Sequence, residues 1–186
     1  MKHSKLGRYI SHVCLVATLF IVASCHSTKS TIDEPTSPYQ TKKKTDYSYL
    51  ERRLSIIVDR HDDLKLLNEA ARWMGTPYKY GGLSSKGMDC SGLTTVIYNN
   101  VYGIRLHRRS TDQYRYDCKP IAKNQLRQGD LVFFATGKTP GQVSHVGVFL
   151  KQGKFIHATT SRGVVISGLN ENYWVRTYVG AGRVKK

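Results

Sequence analysis

The chain has 186 residues, 40% of them hydrophobic and 23% charged, enough for one domain with a real core and too few for two sizeable ones. That balance excludes wholesale disorder and fibrous or collagen-like classes, and beyond the N-terminus no apolar run reaches the ~18 residues of a membrane span. Lys and Arg number 29 against 13 Asp and Glu, a net charge of +16, which asks for a polyanionic partner without naming it.

Met1 to Ser24 reads as a targeting segment. Lys2, Lys5 and Arg8 form a basic start, Ile10 to Ala23 is mostly apolar, and the stretch closes on Val22-Ala23-Ser24-Cys25. Small residues directly before a cysteine resemble a bacterial lipobox, in which the cysteine thiol is acylated and the chain is cut just before it. A plain secretory signal and an uncleaved anchor are the other readings, but the apolar stretch is short for a span. The expected organisation is a signal peptide at 1–24, a lipid-anchored tether at 25–60 starting with Cys25, and a folded domain at 61–186. The tether is assigned on its Ser, Thr and Pro content and on Lys42-Lys43-Lys44. The expected place is the bacterial cell envelope, on the outer membrane facing the periplasm. Cleavage removes only Lys2, Lys5 and Arg8, so the basicity belongs to the mature part. An exported destination argues against nucleic acid and leaves anionic lipid head groups and acidic wall polymers as partners.

Helical periodicity begins after Asp62-Asp63, with Leu64, Leu67, Ala70, Ala71 and Met74 at three- and four-residue spacings and Gly75 as the stop. A loop rich in Tyr and Gly, Tyr78 to Gly82, follows. Asp89 then stands as N-cap to a second helix that begins at Cys90 and runs to Gly103, and a short helix is expected over 110–116. After Pro120 the pattern changes to strands: 131–134, 143–150, 155–159, 164–166 and 177–179. Helices followed by strands predict an α+β fold with an antiparallel sheet.

Cys90 in a first helical turn faces unpaired N–H groups and the positive end of the helix dipole, both of which favour the thiolate. The competing reading is a buried core cysteine, against which Asp89-Cys90-Ser91-Gly92 is polar and small. In an exported protein, Cys90 and Cys118 would ordinarily suggest a disulfide. A reactive Cys90 instead leaves Cys118 an unpaired bystander with no evident role. A thiol nucleophile needs a base, and the base needs an orienting partner. Of the seven histidines, His145 and His157 stand in apolar strands. A two-residue turn at Gln152-Gly153 would put their side chains on opposite faces. A three-residue loop, Lys151 to Gly153, sets Leu150 against Lys154 and Gly147 against His157, bringing both imidazoles to one face as diagonal neighbours. Gly153 at the last loop position favours the second register. A zinc site from Cys90, His145 and His157 lacks a close-spaced ligand pair and a fourth ligand.

The run Gly75-Thr76-Pro77-Tyr78-Lys79-Tyr80-Gly81-Gly82, then Gly87-Met88-Asp89-Cys90-Ser91-Gly92, Gly129-Asp130-Leu131, Ser144-His145-Val146-Gly147 and Phe155-Ile156-His157-Ala158 resembles the NlpC family of cell-wall cysteine peptidases. The resemblance covers about Asp62 to Arg183 with every motif in family order. It implies a papain-like fold and a peptidoglycan endopeptidase that needs no cofactor or metal and works as a monomer on stem peptides. Carried over position by position, it implies Cys90 as nucleophile, His145 as general base and His157 as the orienting residue. It also implies Tyr78 as support for the oxyanion or acyl intermediate, and Asp89 and Ser91 close to the bound stem peptide. The bond cut is either the D,D crosslink or D-γ-glutamyl–diaminopimelate, and the resemblance favours the crosslink. Acyl transfer on the same fold and an inactive wall-binding module are the alternatives.

Overall fold

The computed structural model describes residues 47–185; the expected signal peptide at 1–24, the expected lipidation site Cys25 and the expected tether up to residue 46 lie outside the described residues. The chain is helical over 47–54 (α1), and Leu50 and Leu54 there are fully buried, followed by buried Ile56 and Val58. Folded structure therefore starts before residue 61, where the sequence had placed the end of the tether. Leu50 and Leu54 are four apart, one helical stripe, but Arg52 and Arg53 between them mask so short a period. Arg53 then reaches across to donate to the carbonyls of Ala71 (3.3 Å) and Met74 (2.9 Å), satisfying the end of the next helix. Replacing Leu54 by Ala should cost about 3 kcal/mol in urea unfolding, the range of buried Leu truncations; an unchanged midpoint would return this segment to the tether.

Helix α2 is Leu64–Trp73, capped by Asp63, whose carboxylate accepts the Leu66 N–H. A two-stranded hairpin, β1 (Leu83–Ser84) and β2 (Gly87–Met88), leads into α3, Cys90–Tyr102, with Asp89 as its N-cap and Gly103 as its left-handed C-cap. The short helix expected at 110–116 is a single turn, α4 (Ser110–Asp112), that widens into a π-turn over Gln113–Asp117. The strands are β3 (Cys118–Ile121), β4 (Leu131–Phe134), β5 (His145–Phe149), β6 (Lys154–Thr159), β7 (Gly163–Gly168) and, after the short helix α5 (Asn172–Thr177), β8 (Tyr178–Val184). They form one antiparallel sheet in the order β3-β8-β4-β5-β6-β7. The unforeseen strand is β3. It contains Pro120, after which the sequence reading places the first strand, and it lies at the sheet edge, where a missing N–H is tolerated.

The sheet has two buried faces. Leu131, Phe133, Val146, Val148, Ile156 and Val164 pack with the side chains of α1, α2 and α3 in the larger core. On the other face, Val132, Phe134, Phe149 and Phe155 gather under Leu169 and Trp174, the latter supplied by α5. The β5–β6 connection has the three-residue form: Leu150 N–H donates to Lys154 O at 2.9 Å, and the ladder continues Phe149 against Phe155 and Val148 against Ile156. Lys154 N–H also closes on Lys151 O, across Gln152 (φ 53°) and Gly153 (φ 72°). His145 and His157 accordingly fall on one face, the one covered by Trp174.

Candidate active site

Cys90 is the first residue of α3 and only half-buried. Its place is fixed from both sides. Asp89 Oδ1 accepts the Gly92 N–H at 2.7 Å, and Asp89 Oδ2 accepts the Gly81 N–H at 2.7 Å, tying the helix start to the Tyr-Gly loop. Gly92 admits no side chain, because a Cβ there would lie 2.3 Å from the Gly82 carbonyl oxygen. The loop itself runs along β2: Met88 N–H donates to Pro77 O and Lys79 N–H to Met88 O. Tyr78 is thereby set beside Cys90, and the two line the same pair of clefts.

The two histidines form a buried pair. His145 Nε2 and His157 Nδ1 are 2.9 Å apart, and His157 Nε2 is 3.1 Å from Ser167 Oγ on β7. His157 is fully buried and His145 is 8% exposed. Trp174 stacks on His145 (5.4 Å between centroids, 21° between planes) and meets His157 edge-on at 4.7 Å. With Nε2 of His145 spent on His157, Nδ1 is the nitrogen left to exchange a proton. The two nitrogens that face each other at hydrogen-bond distance do not converge on a common ion, so the zinc arrangement has no geometric basis.

The helix carrying Cys90 packs on the opposite face of the sheet from the imidazoles and brings its N-terminus, with Cys90, to the cleft that His145 lines. The side chains meet around the open end of β5, where Tyr78, Cys90, Ser144 and His145 line one cleft of about 510 Å³. Its far wall is polar, made by Thr159, Thr160, Ser161, Arg162, Glu171 and Tyr173. A second cleft of about 350 Å³ leaves Cys90 in the other direction, between Tyr80, Asp89, Ser91, Arg108 and Arg109. Cys90 and Tyr78 stand at the junction, so an extended chain laid through both clefts would cross the thiol.

Arg108 is the residue that the sequence did not single out. It pairs with Asp89 through both guanidinium nitrogens (2.9 and 2.7 Å) and also donates to Ser91 Oγ at 2.9 Å. Burial pushes the Asp89 carboxyl up, but Arg108 and the N–H groups of Gly92 and Gly81 outweigh it and hold the carboxyl below its ordinary range. In the sequence Arg108 was one cation in a basic stretch, and nothing marked it from Arg105 or Arg109. Gln113, fully buried, fixes that stretch by donating to the carbonyls of His107 (2.8 Å) and Ser91 (3.2 Å).

Cys90 does not show the lowered pKa expected from its helix position. Burial pushes the thiol up, and the Asp89 charge adds to it, against the backbone N–H groups of Val146, Ser91 and Cys90 itself, which favour the thiolate. Tyr78 is likewise pushed up, by burial and by Cys90. Cys118 is free, 3% exposed, and its thiol is pushed up to about 12 by burial and by Asp117. It packs against Gly182 of β8, a structural place for which no local motif is a signal.

Burial lowers both imidazoles below their ordinary 6.5, His145 to about 4, and His157 is also held well below it through His145 and Arg162. The unfolded chain therefore takes up protons that the folded one refuses. Stability should therefore be full above pH 6.5 and fall as the pH drops toward 4, by about 3 kcal/mol for His145 alone. Urea midpoints at pH 7.5 and 4.5 measure this. His145→Gln should flatten the slope, and an equal slope in wild type and variant would show that His145 is not the group responsible.

Residues 75–183 match the family described as NlpC/P60. The chain is 40% identical over 122 residues to a probable endopeptidase NlpC homolog of Haemophilus influenzae, covering 66% of this chain and 63% of the relative. It is 39% identical over 127 residues to the murein DD-endopeptidase MepS/murein LD-carboxypeptidase of Escherichia coli, covering 67% of this chain and 65% of the relative. The chain thus spans just under two thirds of the length of these two relatives. A crystal structure of an NlpC/P60 family protein from Bacillus cereus superposes with a TM-score of 0.59 at 37% identity, over 64% of this chain and 39% of that one. With that match spanning the helix of Cys90 and the strands of both histidines, this chain belongs to the NlpC/P60 family.

Proposed function

We propose that the protein is a peptidoglycan endopeptidase that cleaves an amide bond of cell-wall stem peptides by Cys-His-His catalysis. The observation that carries the reading is the thiol at the start of α3, sharing a cleft with His145, whose other nitrogen is held 2.9 Å from His157. Burial favours the uncharged pair, a thiol at Cys90 and a neutral imidazole at His145, as the starting state. Cys90 Sγ attacks the amide carbonyl as its proton passes to His145 Nδ1. The Cys90 N–H, exposed at the helix start, stabilises the oxyanion together with the Tyr78 hydroxyl. His145 then gives that proton to the leaving amine, leaving a thioester on Cys90. Water, deprotonated by His145, attacks the thioester, and the acid departs as the thiol is restored. His157 holds the ring of His145 throughout. Asp89 and Ser91 shape the stem-peptide cleft, but with Asp89 neutralised by Arg108 their part is to build its wall.

The polar wall on the histidine side suits a peptide acyl group better than a lipid chain, which favours hydrolysis over transfer to lipids. The E. coli relative is named a DD-endopeptidase, and we assign the same bond, the D,D crosslink, to this chain. Mass spectrometry of defined muropeptides after digestion tests this. Crosslinked dimers should fall to monomers, and selective cleavage between D-γ-glutamate and diaminopimelate would overturn the assignment. The enzyme acts as a monomer in the cell envelope, anchored through a lipid on Cys25 to the outer membrane and facing the periplasm. Cys25→Ala should then abolish fatty-acid labelling and membrane fractionation, and unchanged labelling would remove the anchor.

A further inference from the structure

Three buried polar groups on neighbouring strands stand in a row behind Cys90: His145, His157 and Ser167. Ser167 is 2% exposed, and it follows Val164, Val165 and Ile166 in a strand where an apolar residue would pack more cheaply. Phe155 is its cross-strand partner, so Ser167 is the diagonal neighbour of His157 on the Trp174 face. Its hydroxyl lies 3.1 Å from His157 Nε2.

The proton inventory of this row has two neutral solutions. In one, His145 carries its proton on Nε2 and donates to His157 Nδ1, while His157 carries its proton on Nε2 and donates to Ser167 Oγ. His145 Nδ1 is then a bare lone pair, fit to accept a proton. In the other, every bond runs backwards: Ser167 donates to His157 Nε2, His157 Nδ1–H donates to His145 Nε2, and His145 Nδ1 already holds a proton. Only the first solution contains a base. It is also the only one that survives protonation of His145, because an imidazolium must donate from both nitrogens and His157 Nδ1 must then accept.

We propose that Ser167 is a positioning residue for the Cys-His-His site, accepting the His157 Nε2–H and thereby holding both histidines in the tautomers that leave His145 Nδ1 free. This rests on the proposed role of His145 as base. The alternative to an acceptor at Ser167 is an N–H group buried without a partner, which is costly. A bare ring nitrogen in the same place is the cheaper defect, so removing the hydroxyl tips the row into the backward solution and occupies the basic nitrogen.

Imidazole ¹⁵N shifts of the full wild-type chain test the first part. His145 and His157 should each be protonated on Nε2, and a proton on Nδ1 of His157 would overturn the proposal whatever any variant does. In Ser167→Ala the His157 proton should move to Nδ1. Turnover of a crosslinked muropeptide should fall about tenfold or more with KM within about twofold, since a step after binding is affected. Ser167→Thr, which restores the hydroxyl, should recover both the tautomer and most of the turnover. Ser167→Ala with wild-type turnover, or Ser167→Thr no better than Ala with the same secondary structure, would also overturn it. Failure of the catalytic reading is seen separately, as turnover that survives Cys90→Ala.

Discussion

Cys90→Ala and His145→Ala should each lower turnover of a muropeptide by about a thousandfold or more, and the double variant should be little worse than either. The losses do not add because the two side chains perform one proton exchange: without the thiol there is nothing for His145 to deprotonate, and without the imidazole the thiol stays protonated. That second half is sharper here than in a site with a resting ion pair, because burial holds the Cys90 thiol up and the His145 imidazole down. His157→Ala should cost less, since it orients the base and passes no proton to the substrate. All three variants should remain folded, since Cys90 only packs against the edge of the α-facing core from a half-buried position and the two histidines lie on the other face, leaving the apolar strand positions intact. Independent, additive losses from Cys90 and His145 would show that they do not work as a pair.

Asp89→Ala should have the largest effect on stability of any polar substitution at the site. The residue is 6% exposed, and its carboxylate serves three structures at once: the first turn of α3 through Gly92, the Tyr-Gly loop through Gly81, and the basic loop through Arg108. Losing an N-cap costs about 1 kcal/mol, and breaking a buried ion pair up to about 3–5. The Arg108 side chain is 37% exposed, so the pair stays partly solvated and the combined loss should be about 3 kcal/mol. Asp89→Asn keeps an acceptor for Gly92 and should lose less than half of that. Because the carboxyl is held below its ordinary 3.8, this contribution is present above pH 3.8 and lost only as the pH falls through the lower folded value, after the histidines have acted. Turnover should fall with stability in Asp89→Ala, since the thiol moves with its helix start. Urea unfolding within about 0.5 kcal/mol of wild type would refute the triple role.

What the sequence made legible follows from local rules. Asp63 and Asp89 are found as N-caps because an aspartate before an apolar period satisfies the first N–H groups of a helix, and both do so. The pairing of β5 with β6 was readable from Gly153 and the parity of two histidines, because a shift of one residue would have thrown one imidazole to the other face. What stayed hidden depends on distant contacts. The segment 47–58 looks like tether because its two leucines matter only once α2 and the sheet are there to cover them. Arg108 is one cation among several until the fold carries Asp89 to it, 19 residues away in the chain. Ser167 is an unremarked serine at the end of an apolar run until the ladder of β6 and β7 sets it beside His157. The Cys90 thiol follows the same rule: a helix start favours the thiolate, but the burial of the sulfur that opposes it is a property of the assembled fold.

The most direct measurement is digestion of purified peptidoglycan sacculi by the wild-type chain and by Cys90→Ala in parallel, with the soluble products weighed by mass spectrometry. The wild-type chain should open the wall at stem-peptide crosslinks, each cut adding one water to the fragments, while Cys90→Ala releases nothing above the buffer control. The same fragments from Cys90→Ala, or none from the wild-type chain, would contradict a peptidoglycan hydrolase that works through the Cys90 thiol.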